Sequence, residues 1–177
     1  MTEPIPAPAT RLWTTAGFRE DEWRHAESAD ALASNGRFIL PLRVFLALDP
    51  EQRRLARERI GVLLMPGDAL DGIVALLPDL SLVALAFPAF SDGRSFSKAE
   101  LLRSRHGFEG AIRATGQVLV DQLPHMLRLG FDEFEVSHPV LIARLEKGET
   151  GGIPFYNQPT AKPAAPGAKY AWRRVPD

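Results

Sequence analysis

From Phe38 onward the chain alternates two kinds of hydrophobic pattern, and this alternation limits the fold more than any other feature. Short apolar runs at Phe38–Ala47, Ile60–Met65, Leu82–Phe87, Gly110–Thr115 and Phe131–Val136 have the length and residue types of strands. Helical patterns separate and follow them: a stretch behind Asp49-Pro50, Ala69–Leu77, Lys98–His106, Val118–Leu129, and a last helix from His138-Pro139 to Lys147. Five strand–helix units in strict succession predict an α/β fold. Parallel neighbours need a crossover, and a helix supplies it, so the sheet is expected to be mostly parallel and flanked by helices. Five units are too few for an eight-fold barrel, which leaves an incomplete (β/α) barrel as the alternative to an open sheet.

Local signals mark the boundaries. Asp49 and Pro50 form an N-cap and first helical position. Ser97 and Glu100 have capping-box spacing, so a helix is expected to open at Lys98. Gly107 and Gly130 are placed to end helices. Pro124 falls inside the 118–129 pattern and predicts a kink, and Pro41 predicts an edge or bulge position in the 38–47 strand. Phe131–Val136 (FDEFEV) alternates apolar and acidic residues, the pattern of a strand with one wetter face. The domain is expected to span 36–158. Residues 1–35 read as a flexible acidic lead, and its 19–30 segment (two basic, five acidic residues) reads as a solvated helix or loop. Residues 159–177 read as a Pro/Ala-rich tail, in which Tyr170, Trp172, Arg173 and Arg174 could form a docking peptide.

Composition narrows the chemistry. With 177 residues, 45% hydrophobic, the chain can build one real core. The net charge of −1 gives no basic excess for a nucleic-acid backbone. No run of 18 apolar residues is present to span a membrane, and the start has no basic-then-apolar signal, so a cytoplasmic location is expected. There is no cysteine, hence no disulfide, thiolate or cluster ligation by this chain. His25, His106, His125 and His138 are scattered without a zinc-binding pair, and no metal site is assigned. The glycine motifs of nucleotide and dinucleotide sites and the nucleophile elbow are missing, so no cofactor is assigned either.

In a parallel sheet, ligands gather at the carboxyl ends of strands. Two such ends are polar: Ser91-Asp92-Gly93-Arg94-Ser95-Phe96-Ser97, and Arg113-Ala114-Thr115-Gly116-Gln117 followed by Asp121-Gln122. They belong to consecutive units, so their loops should meet on one rim. Residues 94–113 hold five basic and two acidic residues, a local charge of +3. Arg94 and Arg113 can each grip an oxyanion through paired N–H groups, helped by Ser97, Arg103 and Gln122. Gly93 and Gly116 are the loop glycines, single glycines that are a weak signal of a phosphate loop, and Asp92 and Asp121 are the candidate general bases. A well-made turn, with Asp92 and Arg94 paired to each other, is the competing reading. Gln117, Asp121, His125 and Arg128 form a polar helical stripe that reads as solvated apart from Asp121.

FPAFSDGRSFSKAELLR, then GAIRATGQVLVDQ, then RLGFDEF resemble the bacterial family labelled domain of unknown function 934. PLRVFL, GVLLM and IPFYNQ fit its earlier and later pieces, so the resemblance runs over about residues 36–158. The patterned positions are Asp92, Gly93, Arg94, Ser97, Arg103, Arg113, Gly116, Asp121 and Gln122. The resemblance implies an association with assimilatory sulfite reductase, and members are often labelled oxidoreductases of sulfite reduction. Many members have cysteine where this chain has Leu129, and an acidic residue where it has Gln117. Thiol chemistry at the first position is therefore not general. Three functions are expected in turn: an accessory protein of sulfite reduction, a small enzyme or sensor for a sulfate- or phosphate-bearing anion, and an interaction scaffold without catalysis. Pairing of the apolar 38–47 edge would add self-association.

Overall fold

The architecture is that of a computed structural model, described over residues 10–151. Eight strands form one sheet: β1 Arg11–Thr14, β2 Gly17–Arg19, β3 Trp23–His25, β4 Arg37–Pro41, β5 Ile60–Leu64, β6 Leu82–Phe87, β7 Ala111–Gly116 and β8 Glu133–Val136. The helices are α1 Leu42–Ala47, α2 Pro50–Ala56, α3 Asp71–Val74, α4 Arg94–Ser104, α5 Leu123–Leu129 and α6 Pro139–Glu146. The strand order is β2-β1-β8-β7-β6-β5-β4-β3. Strands β3 to β8 are parallel and lie side by side in chain order, while β1 runs antiparallel to both β8 and β2.

This order forces the sheet to curl. The edge strands β2 and β3 are joined by only residues 20–22. Four chain steps from Arg19 to Trp23 reach about 14 Å at most. A flat sheet would hold its outer strands seven spacings apart, roughly 34 Å. The sheet therefore bends into a half-barrel, which is the incomplete-barrel form of the expected α/β fold. The helices all pack on its convex face. There Phe38, Leu40, Val62, Leu64, Val83, Leu85, Phe87, Ile112, Phe134 and Val136 share one core with Phe45, Ile73, Leu102, Met126 and Leu141 from the helices. The alternate strand residues Ile39, Leu82 and Ala84 form a separate cluster with Trp23 and Leu63 on the concave face.

All five expected units are present, with local corrections. The 38–47 run is not one strand: Pro41 ends β4 and caps α1, because it has no N–H to continue a ladder. It is also not an edge, since β3 pairs outside it. The Asp49 N-cap is formed as expected, and Gln52 completes a capping box with it. The 69–77 helix is shorter, Asp71–Val74, followed by a 3-10 turn at Leu77–Asp79. Helix α4 starts at Arg94 behind Gly93, so Ser97 lies inside it and forms no capping box. Pro124 sits in the first turn of α5, where a missing N–H costs nothing, and there is no kink.

The largest correction concerns the N-terminal segment. From Arg11 it is not a lead but three strands of the same sheet, with Trp13 buried against Phe134 at 5.4 Å between ring centroids. Residues 19–25 are largely exposed, as expected, but they include strand residues of β2 and β3, and Arg19, Asp21 and His25 pair with residues of β7 and β8. The expected tail and the 153–156 strand lie outside the described residues. Among the described residues, no helix is long and apolar enough to cross a membrane.

Candidate functional site

Two polar regions result, one at the rim and one inside the curl. At the rim, the loops after β6 and β7 meet as expected. The Phe90 N–H donates to the Gln117 side-chain oxygen at 3.0 Å, and the Gln117 N–H donates to the Phe87 carbonyl at 2.7 Å. Gly116 permits this contact: its φ is +92°, and a Cβ there would stand 2.5 Å from the Phe87 oxygen. Arg94 donates from Nε and Nη2 to the two Asp92 oxygens at 2.9 and 2.7 Å. That bonding holds the Asp92 carboxyl below its ordinary range. The pairing is the turn-like arrangement weighed against a ligand site, and it occupies the same guanidinium edge an anion would use.

Behind this loop the side chains are structural. Ser95 is buried and its hydroxyl donates to the Ala86 carbonyl at 2.6 Å, which ties α4 to β6. Lys98 is also buried; its ammonium donates to the Pro66 carbonyl at 2.7 Å, and burial, then Arg94, pulls its pKa down. Phe96 stacks between Phe87 and His125, with centroids at 4.9 Å on both sides. Ser97 and Asp121 are exposed on the rim helices and loops. Gln122 turns back to accept the Leu119 N–H at 3.3 Å.

Arg103 and Arg113 do not join this rim. Arg103 is at the opposite end of the strands. It donates to the carbonyls of Gly130 (3.1 Å), Gly110 (2.9 Å) and Phe108, and pairs with Asp132. It clamps three chain turns together. Arg113 is the third residue of β7 and points into the concave face, where its side chain has no solvent exposure. Its Nε and Nη2 donate to Glu133 at 2.9 and 2.7 Å, and its Nη1 and Nη2 donate to Asp21 at 2.8 and 3.0 Å. Nη1 also reaches Glu135 at 3.2 Å.

The network extends from there. Arg19 pairs with Glu133. His25 shares a hydrogen bond of 2.8 Å between Nε2 and Glu135, and the Thr115 hydroxyl donates to the other Glu135 oxygen at 2.5 Å. The bond to Glu135 raises the His25 pKa above its ordinary 6.5, against the opposing effect of burial. Burial pushes Glu135 up, but His25, Thr115 and Arg113 together outweigh it and hold the carboxyl low. Three carboxylates thus face two guanidiniums and one imidazole. Sequence reading missed Asp21, Arg19, His25, Thr115, Glu133 and Glu135 as a group. The available signal was parity: Arg113 and Thr115 on one strand, and Glu133 and Glu135 on another, alternate with fully apolar residues.

A family model described as a bacterial protein of unknown function, DUF934, matches residues 61–166, more than half of the chain. The chain belongs to this family. No curated protein matches it. The DUF934 match covers the rim loops, Arg103, Arg113, Glu133 and Glu135, but begins after Arg19, Asp21 and His25. In this DUF934 chain, one half of the concave network is therefore supplied by an N-terminal segment outside the matched region.

Proposed function

We propose that the chain is an accessory protein of assimilatory sulfite reduction, acting with sulfite reductase in the cytoplasm. The partner is suggested by the family resemblance. A docking role is supported by the rim, where Phe90 and Met65 are 60% and 44% exposed on loops after adjacent strands. Large apolar side chains beside charged groups are the composition of protein-binding surfaces. A cysteine-free chain with no nucleotide motif is suited to assisting a redox enzyme rather than carrying electrons through its own side chains. The test is a reconstituted sulfite reductase assay with the wild-type chain and with Phe90→Ser. The reading requires a change in rate or donor use with wild type that Phe90→Ser reduces. Identical kinetics with and without the chain would reject it.

A second reading, a small enzyme or sensor for a sulfate- or phosphate-bearing anion at the rim, is favoured by one observation. The Arg94 side chain is 64% exposed in the first turn of α4. An anion exchanging with Asp92 would meet a charged, bidentate donor there. Thermal unfolding against sulfite, sulfate, phosphate and adenosine phosphosulfate tests it. A ligand at 100 times its dissociation constant adds about 2.7 kcal/mol, a rise of several degrees that Arg94→Ala should remove.

A further inference from the structure

The two main carboxylate partners of Arg113 are held very differently. Glu133 belongs to β8, and its side chain is 7% exposed. It cannot leave without unpairing the sheet. Asp21 lies in the three-residue link between the sheet edges, outside any strand ladder, and its side chain is 30% exposed. Its two oxygens take the outer edge of the guanidinium at 2.8 and 3.0 Å. That is the two-pronged geometry in which arginine binds free oxyanions. A cleft of about 260 Å³ adjoins Asp21, lined by Arg19, Glu20, Glu22, Arg37 and Glu133 among others, while Arg113 lies behind Asp21 and does not line it. A displaced Asp21 has somewhere to go.

Arg113 has no solvent exposure, and Asp21 accepts from both of its terminal nitrogens. Withdrawing Asp21 takes one negative charge and two acceptors from a buried guanidinium, a costly loss that one bound oxyanion restores.

We propose that Asp21 is an internal stand-in for a small oxyanion of the sulfate, sulfite or phosphate type, and that such an anion binds Arg113, with Arg19 beside it, by displacing Asp21. This rests on the anion-binding reading but moves the site from the rim to the concave face, and it does not depend on sulfite reductase. Asp21 competes at a high effective concentration because it is tethered. The wild-type chain therefore binds weakly, and the competent state is populated only when Asp21 leaves.

The test is calorimetric titration of the full chain with sulfate, sulfite and phosphate at constant ionic strength, with chloride as control. In Asp21→Asn the side-chain oxygen still accepts the Trp23 N–H, a bond of 3.0 Å in the wild type, so the link keeps its turn. Asp21→Asn should bind at least about tenfold more tightly than wild type, because the competing charge is gone. Adding Arg19→Gln, at a side chain 54% exposed, should weaken that binding several-fold without loss of fold. Adding Arg94→Ala should leave it unchanged. Equal affinity in wild type and Asp21→Asn, an equal gain for chloride, or indifference to Arg19→Gln would overturn the proposal. Loss of binding on Arg94→Ala would also overturn it, and would return the anion to the rim.

Discussion

Replacing Arg113 by Met isolates the contribution of the concave network. Met keeps most of the volume but removes every bond that Arg113 makes to Asp21, Glu133 and Glu135. The three carboxylates lose unequally. Asp21 retains the Trp23 N–H and partial contact with water, and Glu135 retains His25 and Thr115. Glu133 retains Arg19 on one oxygen and loses both bonds on the other, at 7% exposure. Removing one partner of a buried ion pair costs about 3–5 kcal/mol, and the surviving contacts set this case near the lower figure, about 3 kcal/mol. At roughly 2–4 °C per kcal/mol, the midpoint should fall by about 6–12 °C. Urea unfolding followed by tryptophan fluorescence reads the loss directly, since Trp13 and Trp23 lie on the strands concerned. Adding Glu133→Gln to Arg113→Met removes the uncompensated charge and should recover about 1 kcal/mol or more. A loss below about 1 kcal/mol, or no recovery in the double variant, would refute the view that Arg113 neutralises a buried acidic face.

The remaining predictions concern pH, the rim and the opposite end of the strands. The raised His25 pKa means that the charged ring contributes stability in full below its ordinary 6.5, and that this is lost as pH rises through the higher folded value. Glu135 acts in the opposite sense: its depressed pKa contributes stability above the ordinary 4.5, lost as pH falls through the folded value. Chemical unfolding of wild type across pH 5–9 should show the alkaline decline, and His25→Gln should flatten it. Gly116→Ala combines a φ of +92° with a 2.5 Å approach to the Phe87 oxygen, and should cost about 2 kcal/mol or more in thermal unfolding. Arg103→Ala leaves the Phe108, Gly110 and Gly130 carbonyls without their donor and should cost about 2–3 kcal/mol, with the calorimetric anion affinity unchanged.

How much of this was legible depended on where each signal resided. The parallel core from β4 to β8 was readable because its strands are short apolar runs separated by capped helices, and these are local patterns. Asp49-Pro50 and Gly130 placed helix ends for the same reason. The sequence β1–β3 was not readable, because WRHAESAD and GFRED carry charges at the density of a surface loop. Their partners lie on β7 and β8, more than ninety residues away, and only the curl turns those charges inward. Arg113 was singled out but placed on the rim at the carboxyl end of its strand, whereas it is the buried third residue of β7. Its neighbours Ile112 and Ala114 are fully buried on the convex side, so strand parity sends it to the other face. The meeting of the rim loops followed from strand succession alone. The Lys98 and Ser95 ties did not, since their acceptors are backbone carbonyls that no residue pattern announces.

The three-residue link between the sheet edges also governs the order in which the molecule can assemble. The parallel strands can pair as they are made, each with the one before it. The first two strands cannot join the sheet until the last has formed, because Arg11–Thr14 needs Glu133–Val136 as its neighbour. His25 waits for a partner 110 residues downstream. Closing so long a loop carries a large entropic cost and makes this a late, slow event. Until then Arg113, Glu133 and Glu135 face water, and the edge of the final strand is open to pairing with another chain. The N-terminal segment therefore acts as a clasp: it fastens last, and hydrogen exchange should find it the first part of the sheet to open.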